Sequence, residues 1–458
     1  MSSIFVSVGQ CGNQLAKTLI DQLLLNQINQ NSYLYDNYDG KFHFVNLDSE
    51  SKVIKNLYAS HKQNLRIENL INTKCGRGSN WASGYTGLKK DGSLKIIEKS
   101  LESIRKESER CDFLLSFIVM HSLSGGTGSG CGSKLIEQLR DEFGWKKLIM
   151  TQSVAPFRAG ELPLQHYNNL LCMSHLQEYA DFISLHQNDD VLDILNKISL
   201  ESSRPSNTSV TSKTGLLPFN STKLIKKSNL NDDTYASVTL NDMNSYIVKS
   251  ILSAINPVDN ISLKSQSFGL ELLELQKFLC PNFNLKIVEI YNVNSLNVTK
   301  TIYEKNNPLV KRLFSRVPKY KANSNEYYTS LNSLFVARGM QDFNEYKSEY
   351  VLGQLLNESD LMQKTLNPVK WNPFSMDFWT SKNSLSDSEK VKMNSLTLVT
   401  NRNKCCEYLR DVLEKSMLKY SVKAYVHWYE KFNIDKEFFE NSFEKIRFTI
   451  DSYDQMTQ

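Results

Sequence analysis

One stretch limits what this chain can fold into more than any other: FLLSFIVMHSLSGGTGSGCGSKLIEQLRDEF, from Phe113 to Phe143. Its opening part, Phe113 to Ser122, is bulky and apolar without polar alternation, as in a strand buried on both faces of a parallel sheet. The strand runs out into Ser-Gly-Gly-Thr-Gly-Ser-Gly at Ser124 to Gly130. Missing Cβ atoms there let backbone N–H groups approach an anion closely. Leu135, Ile136, Leu139 and Phe143 then recur at helical spacing, so the glycine run opens into a helix N-terminus, where free N–H groups and the dipole favour phosphate.

The details of the run decide which phosphate binders it excludes. A P-loop needs Gly-Lys-Ser/Thr at its end, and here Gly130 is followed by Cys131 and Gly132. The dinucleotide spacing G-x-G-x-x-G is also missed. A metabolic dinucleotide enzyme would further need a catalytic His or Cys set beside the loop, and the sequence offers none in a convincing setting.

Before and after this stretch, strand and helix alternate. Ile4 to Val8 is a short β-rich run closed by Gly9-Gln10-Cys11-Gly12, with Leu15, Leu19 and Leu23 following at helical spacing. Phe42 to Leu47 reads as a strand ending near Asn46, Asp48 and Glu50; an acid just past a strand end suits a metal-bound phosphate, or a solvated turn. Lys147 to Val154 and Ala180 to Leu185 read as further strands, with a helix over Leu164 to Glu178 between them. Such alternation implies a parallel sheet covered on both faces, with ligands outside the carboxyl ends of its strands. Gln10, Cys11, Asp48, Asn80, Ser122 to Gly128, Glu161 and Asn188 all fall there, so one nucleotide-sized crevice collects them.

Beyond residue 200 the character changes. Glu201 to Asp233 is rich in Ser, Thr, Asn and Lys without a periodic apolar face and reads as a mobile surface loop. A helix follows over Leu240 to Ile255, with Met243, Ile247, Ile251 and Ile255 as its core stripe, and another over Phe268 to Leu279, with Glu271 and Glu274 on one face. Leu285 to Tyr291, Leu331 to Ala337 and Leu396 to Thr400 read as strands of a second domain; Glu407 to Tyr429 and Lys436 to Tyr453 read as closing helices. The net charge of +5 on 458 residues is no nucleic-acid footprint, and no apolar run approaches a membrane span, so a cytosolic protein is expected. Eight scattered cysteines without C-x-x-C pairs support neither zinc nor disulfides and are expected as buried thiols.

Five strings identify a family. GQCGNQ at Gly9 to Gln14, GRGSNWASGY at Gly76 to Tyr85, SGGTGSG at Ser124 to Gly130, HQND at His186 to Asp189 and KAYVHWY at Lys423 to Tyr429 occur in tubulin order. The chain resembles a tubulin over nearly its whole length. Ala155 to Asn168, Ser174 to Asp189 and the ending resemble the δ branch, with ε as nearest rival. The resemblance implies a tubulin-like α/β fold: a parallel-sheet GTP-binding domain over 1–200, a polar loop over 201–239, a core helix over 240–256, an intermediate α/β domain over 257–385, and a C-terminal strand and helices over 386–458.

It also implies the site. Gln10 and Cys11 match residues against the phosphates and the base side of GTP or GDP, and Ser122, Gly126, Thr127 and Gly128 match the cradle of the inner phosphates. Asp48 matches the acid associated with Mg2+, Asn80 the loop that senses the terminal phosphate, and Glu161 a ribose contact. Asn188 and Asn241 match the two amides that read the guanine edge, and Glu274 an acid that completes the site of the next subunit. There are departures: Ser237 stands where an aromatic is expected, Gln165 stands for an acid, and Asn46 with Asp48 leaves one carboxylate fewer for the metal. The implied partners are other tubulins (α, β, ε or self) in longitudinal contact and centriolar or basal-body proteins, with no nucleic acid and no membrane. Either slow hydrolysis completed by a neighbour or a scaffold that holds nucleotide without turnover fits these residues.

Overall fold

In the computed structural model the described residues are 2–25, 34–36, 38–73, 76–87, 94–160, 162–202, 238–262, 265–296, 309–322, 324–339, 355, 357–382 and 393–456. The first half alternates as β1 (Ser2–Val8), α1 (Gly9–Leu25), β2 (Phe44–Asp48), α2 (Ser51–His61), β3 (Leu70–Asn72), α3 (Trp81–Thr86), α4 (Leu94–Glu109) and β4 (Leu114–Ser122). It continues as α5 (Gly132–Phe143), β5 (Leu148–Ala155), α6 (Gln165–Tyr179), β6 (Phe182–Gln187) and α7 (Asn188–Ser202). These six strands pair in parallel in the order β3-β2-β1-β4-β5-β6.

Strand periodicity sorts their side chains onto two cores. Ile4, Val6 and Val8 of β1, with Phe117 and Val119 of β4, pack towards α3 to α6. Phe5, Ile118 and Met120 between them pack towards α1, α2 and the long helix that follows residue 238. Both faces are apolar because both are covered, which is why the strands read as continuous hydrophobic runs.

That long helix is α8 (Leu240–Ile255), whose Thr239 and Asp242 form a capping box and whose Met243, Ile247, Ile251 and Ile255 are buried as expected. The second half adds β7 (Asn260–Ile261), β8 (Ser265–Gln266), α9 (Glu271–Leu279), β9 (Ile287–Leu296), α10 (Leu309–Arg316), β10 (Ser330–Arg338), α11 (Ser359–Leu366), β11 (Met376–Ser381) and β12 (Met393–Arg402). Its strands extend the same sheet in the order β6-β9-β12-β10-β11-β7-β8, now mostly antiparallel. The join is narrow: β6 and β9 pair only at Ile183↔Ile287 and Ser184↔Val288. The chain closes with α12 (Cys405–Ser421), α13 (His427–Glu430) and α14 (Lys436–Gln455). Helices α12 and α14 return to pack on α6 of the first half.

Four expectations change. The helix read over Glu407 to Tyr429 stops at Ser421, because Lys423 and Tyr425 take φ of +52° and +60°, which no α-helix accommodates. The helix read from Phe268 begins at Glu271, after Gly269 at φ +78°, and Phe268 itself is exposed. Glu271 and Glu274 also part: Glu271 is buried and accepts a hydrogen bond from Ser267, whereas Glu274 lies outside, 3.7 Å from Lys277. Cys11 and Cys111 are only half-buried, unlike Cys131, Cys172, Cys280, Cys405 and Cys406. The polar loop lies outside the described residues from 203 to 237.

Candidate functional site

The site grows from the carboxyl ends of β1, β2 and β4. After Val8 the chain turns sharply at Gly9 (φ +73°) into α1, and a Cβ on Gly9 would stand 2.8 Å from the Gly128 nitrogen. The first loop and the glycine run therefore touch backbone to backbone. Beneath them lies a buried polar network that the sequence does not announce: Ser7 donates to Asn13 at 2.7 Å, while the Asn13 amide donates to the Gly9 and Leu47 carbonyls at 2.8 and 3.0 Å. Asn46, read above only as a missing acid, donates to Ser7 in that network. Above it, Gln10 is exposed and Cys11 half-buried in the first turn of α1, and protein packed around the sulfur pushes the Cys11 thiol up to about 12.

From Gly126 to Cys131 the glycine run forms a wide π-helical turn that leads into α5. Such turns are uncommon and gather at functional sites. Ser122 and Thr127 are half-buried, Gly126 and Gly128 buried. From below, Nδ1 of His121 lies 3.2 Å from the Gly128 carbonyl, so it carries the proton and donates; burial lowers this ring to about 4, keeping it neutral. At the end of β2, the Ser49 and Thr127 hydroxyls are 2.6 Å apart, which ties β2 to the loop.

Asp48 sits beside that tie and is 3 % exposed. Its Oδ1 accepts from the Glu50 amide at 3.2 Å, whereas its Oδ2 has no hydrogen-bond partner. Burial raises this carboxyl from 3.8 to about 6. An orphaned buried carboxylate oxygen one residue from the Ser49–Thr127 contact fits a divalent cation shared with phosphate oxygens. The fit rests on one carboxylate: among the described residues no three His, Cys, Asp or Glu side chains gather as a metal cluster.

The loop over 76–80 closes the other side. Asn80 caps α3, accepting from the Ala82 amide at 2.8 Å, and donates to the Trp428 carbonyl at 3.2 Å. The hub of this region is Asn168, which sequence reading passed over. Its Oδ1 accepts from the Trp81 amide (2.9 Å) and the Tyr429 hydroxyl (2.7 Å), and its Nδ2 donates to the carbonyls of Ser79 (2.8 Å) and Ser124 (2.7 Å). One buried amide thus joins the 76–80 loop, the glycine run and α13, using every donor and acceptor it has. Its only sequence signal was its place on α6 beside Tyr167. Arg77 was also missed; it is 3 % exposed, and its Nε and Nη1 have no hydrogen-bond partner.

The remaining site residues lie apart from this cradle. Asn188 is half-buried at the start of α7, and Asn241 is exposed in the first turn of α8. Helix α8 packs on both α1 and α7, which brings the two amides to helices bordering the first loop. Gln165 is buried and donates to the Phe157 carbonyl at 2.9 Å, a structural contact. Glu161 and Ser237 lie outside the described residues. Glu274 belongs to α9, which packs on β10 and β12, so it is not brought to the crevice of its own chain. No helix among the described residues is long and apolar enough to cross a membrane.

The comparisons with known proteins agree with this geometry. The model of the Tubulin/FtsZ family GTPase domain matches residues 2–196. The chain is 26% identical to the human tubulin delta chain over 508 aligned positions, covering 99% of each, and 27% identical to the mouse tubulin delta chain with the same coverage. It is 26% identical to the human tubulin epsilon chain, covering 99% of this chain and 96% of the relative.

Proposed function

Because this chain is a delta-tubulin-like member of the tubulin family, with a Tubulin/FtsZ-family GTPase domain that implies guanine-nucleotide binding, we propose that it binds GTP with Mg2+ and serves as a structural component of centrioles or basal bodies. In that role it supports triplet microtubules through end-to-end contact with other tubulins. The observation that carries nucleotide binding is the glycine run itself: a π-helical turn at a helix N-terminus, backbone to backbone with Gly9 and tied through Thr127 to Ser49, next to Asp48, whose Oδ2 has no hydrogen-bond partner.

In this reading Ser122, Gly126, Thr127 and Gly128 hold the inner phosphates, with Gln10 and Cys11 alongside. Asp48 holds the Mg2+, which supplies charge neutralisation at the phosphates when bound. Asn80 positions the 76–80 loop, Asn188 and Asn241 read the guanine edge by paired donor and acceptor, and Glu161 takes the ribose. Glu274, exposed on α9 and remote from its own crevice, orients the attacking water in the next subunit's site.

Purified protein is denatured and the released nucleotide identified by chromatography; guanine nucleotide in near-stoichiometric amount is expected, and adenine nucleotide would contradict the reading. Hydrolysis is tested separately. Turnover should rise faster than linearly with protein concentration, and Glu274→Ala should remove that rise, about 10²- to 10⁴-fold for one positioned base, with nucleotide affinity intact. Turnover strictly proportional to concentration would favour the second reading, a scaffold or cap that holds nucleotide without hydrolysis. The single-carboxylate metal site speaks for that alternative.

A further inference from the structure

The segment over 422–434, between α12 and α14, is strained and partly exposed. Lys423, Tyr425 and Asn433 take φ of +52°, +60° and +61°. Left-handed backbone is costly for a residue with a Cβ and persists only where surrounding contacts over-determine it. Three side-chain hydrogen bonds tie the segment to the first half. The Tyr167 hydroxyl donates to the Ala424 carbonyl at 3.0 Å, the Asn80 amide to the Trp428 carbonyl at 3.2 Å, and the Tyr429 hydroxyl to Asn168 Oδ1 at 2.7 Å. Val422, Tyr425 and Trp428 face outwards, and a cavity of about 330 Å³ lies among Asn80, Ser83, Trp428, Lys431 and Phe432. Strained backbone, an exposed face and an open flank mark the low-stability end of a structure, where local opening comes first.

Of the three bonds, the one from Tyr429 ends on the amide that also holds the glycine run. The Tyr429 ring is fully buried and sits edge-on to both Tyr167 and Phe439, each with its centroid 5.4 Å away, so packing aims the hydroxyl. Burial pushes that hydroxyl well above its ordinary range, which keeps it a donor. An amide is planar, so whatever fixes the Asn168 oxygen also aims its nitrogen. That nitrogen donates to the carbonyls of Ser79 at 2.8 Å and Ser124 at 2.7 Å, and Ser124 stands two residues before the π-helical turn begins at Gly126. A continuous chain of hydrogen bonds therefore runs from the strained segment to the entrance of the turn.

We propose that Tyr429 is a positioning residue of the nucleotide site: acting through Asn168, it makes docking of the 422–434 segment and occupancy of the glycine run one linked equilibrium. Bound nucleotide tightens the segment, and release of the segment loosens the nucleotide by the same factor, as linkage between two binding events requires. This rests on the guanine-nucleotide reading above.

The test uses the full chain, freed of nucleotide, as the parent, Tyr429→Phe and Tyr167→Phe. Affinity for GTP and for GDP is measured by titration, and amide hydrogen exchange over 423–433 is followed with and without saturating GTP. Tyr429→Phe keeps the packed ring and removes only the hydroxyl. It should weaken GTP and GDP alike, about 3- to 10-fold, the range of one neutral hydrogen bond. In the parent, GTP should slow exchange of the segment by a similar factor, and in Tyr429→Phe that dependence on GTP should vanish. Tyr167→Phe removes a tie that bypasses Asn168, so exchange should quicken with and without GTP while the ratio between the two states persists. Segment exchange unaffected by GTP in a parent that binds it, or a Tyr429→Phe variant with parental affinity and parental GTP dependence whatever its Tm, would overturn the role of Tyr429 and leave the guanine reading standing. A parent that binds neither nucleotide would overturn the guanine reading and this proposal with it.

Discussion

The two ends of the crevice are built differently. At the phosphate end, Gly9, Gly126 and Gly128 meet neighbouring atoms at distances that leave no room for a Cβ, and Asn13, Asn168 and His121 lock the loops from beneath. At the end proposed to hold the base, Asn188 is half-buried and Asn241 exposed, each on the first turn of a helix. The first is organised before any ligand arrives; the second is open to solvent. Preorganised groups cost little on binding, so the phosphate end should dominate affinity and the base end should set selectivity.

Asn168→Ala probes that contrast hardest. It strands two donors and two carbonyls that now share one amide, and a loss of about 3–5 kcal/mol in stability is expected. Denaturant unfolding of the nucleotide-free protein measures it; a loss below about 1 kcal/mol would mean that the phosphate end is not locked. Gly126→Val comes next. A Cβ there would stand 2.9 Å from the Arg77 carbonyl and 3.0 Å from the Asn80 nitrogen. The variant should therefore lose about 1–3 kcal/mol even without nucleotide, besides losing nucleotide binding. Gly125→Ala is the control: its Cβ has only the Ser122 hydroxyl near, at 3.4 Å, and φ is −81°, so unchanged melting is expected.

At the base end the effects are smaller and selective. Asn188→Ala should cost about 1–2 kcal/mol for GTP and leave ATP affinity unchanged, measured by competition titration. Equal losses for both nucleotides would assign Asn188 to the fold rather than to the base. The gentlest probe is pH. Because the Asp48 carboxyl is raised from 3.8 to about 6, the folded protein holds its proton more tightly than the unfolded chain. Free-protein stability should fall as pH rises from about 4 to about 6, through this group. Cation-supported nucleotide binding runs the other way, since the carboxylate must ionise; it should be about tenfold weaker at pH 5 than at pH 7, with Asp48→Asn flattening the profile.

The sequence made some of this legible and hid the rest for physical reasons. Period and composition sufficed for the parallel half, since strands covered on both faces must be continuously apolar, and for α8, whose stripe Met243 to Ile255 is buried as read. Glycine strings located the cradle because close backbone approach forbids side chains there. The interior polar hubs were illegible. Asn13 and Asn168 are ordinary letters, and their roles depend on which carbonyls lie 34, 44 or more residues away. Helix ends also escaped where left-handed residues such as Lys423 and Tyr425 interrupt an otherwise helical pattern. Glu271 and Glu274 share a spacing but not an environment, which only packing could show.

Calorimetric titration of the nucleotide-free chain with GTP and ATP, side by side in Mg2+, tests the account most directly. Preorganised phosphate contacts with base-reading amides predict saturable one-to-one binding of GTP and at least about tenfold weaker ATP, the value of one lost amide pairing. ATP bound as tightly as GTP, or no binding of either, would contradict it.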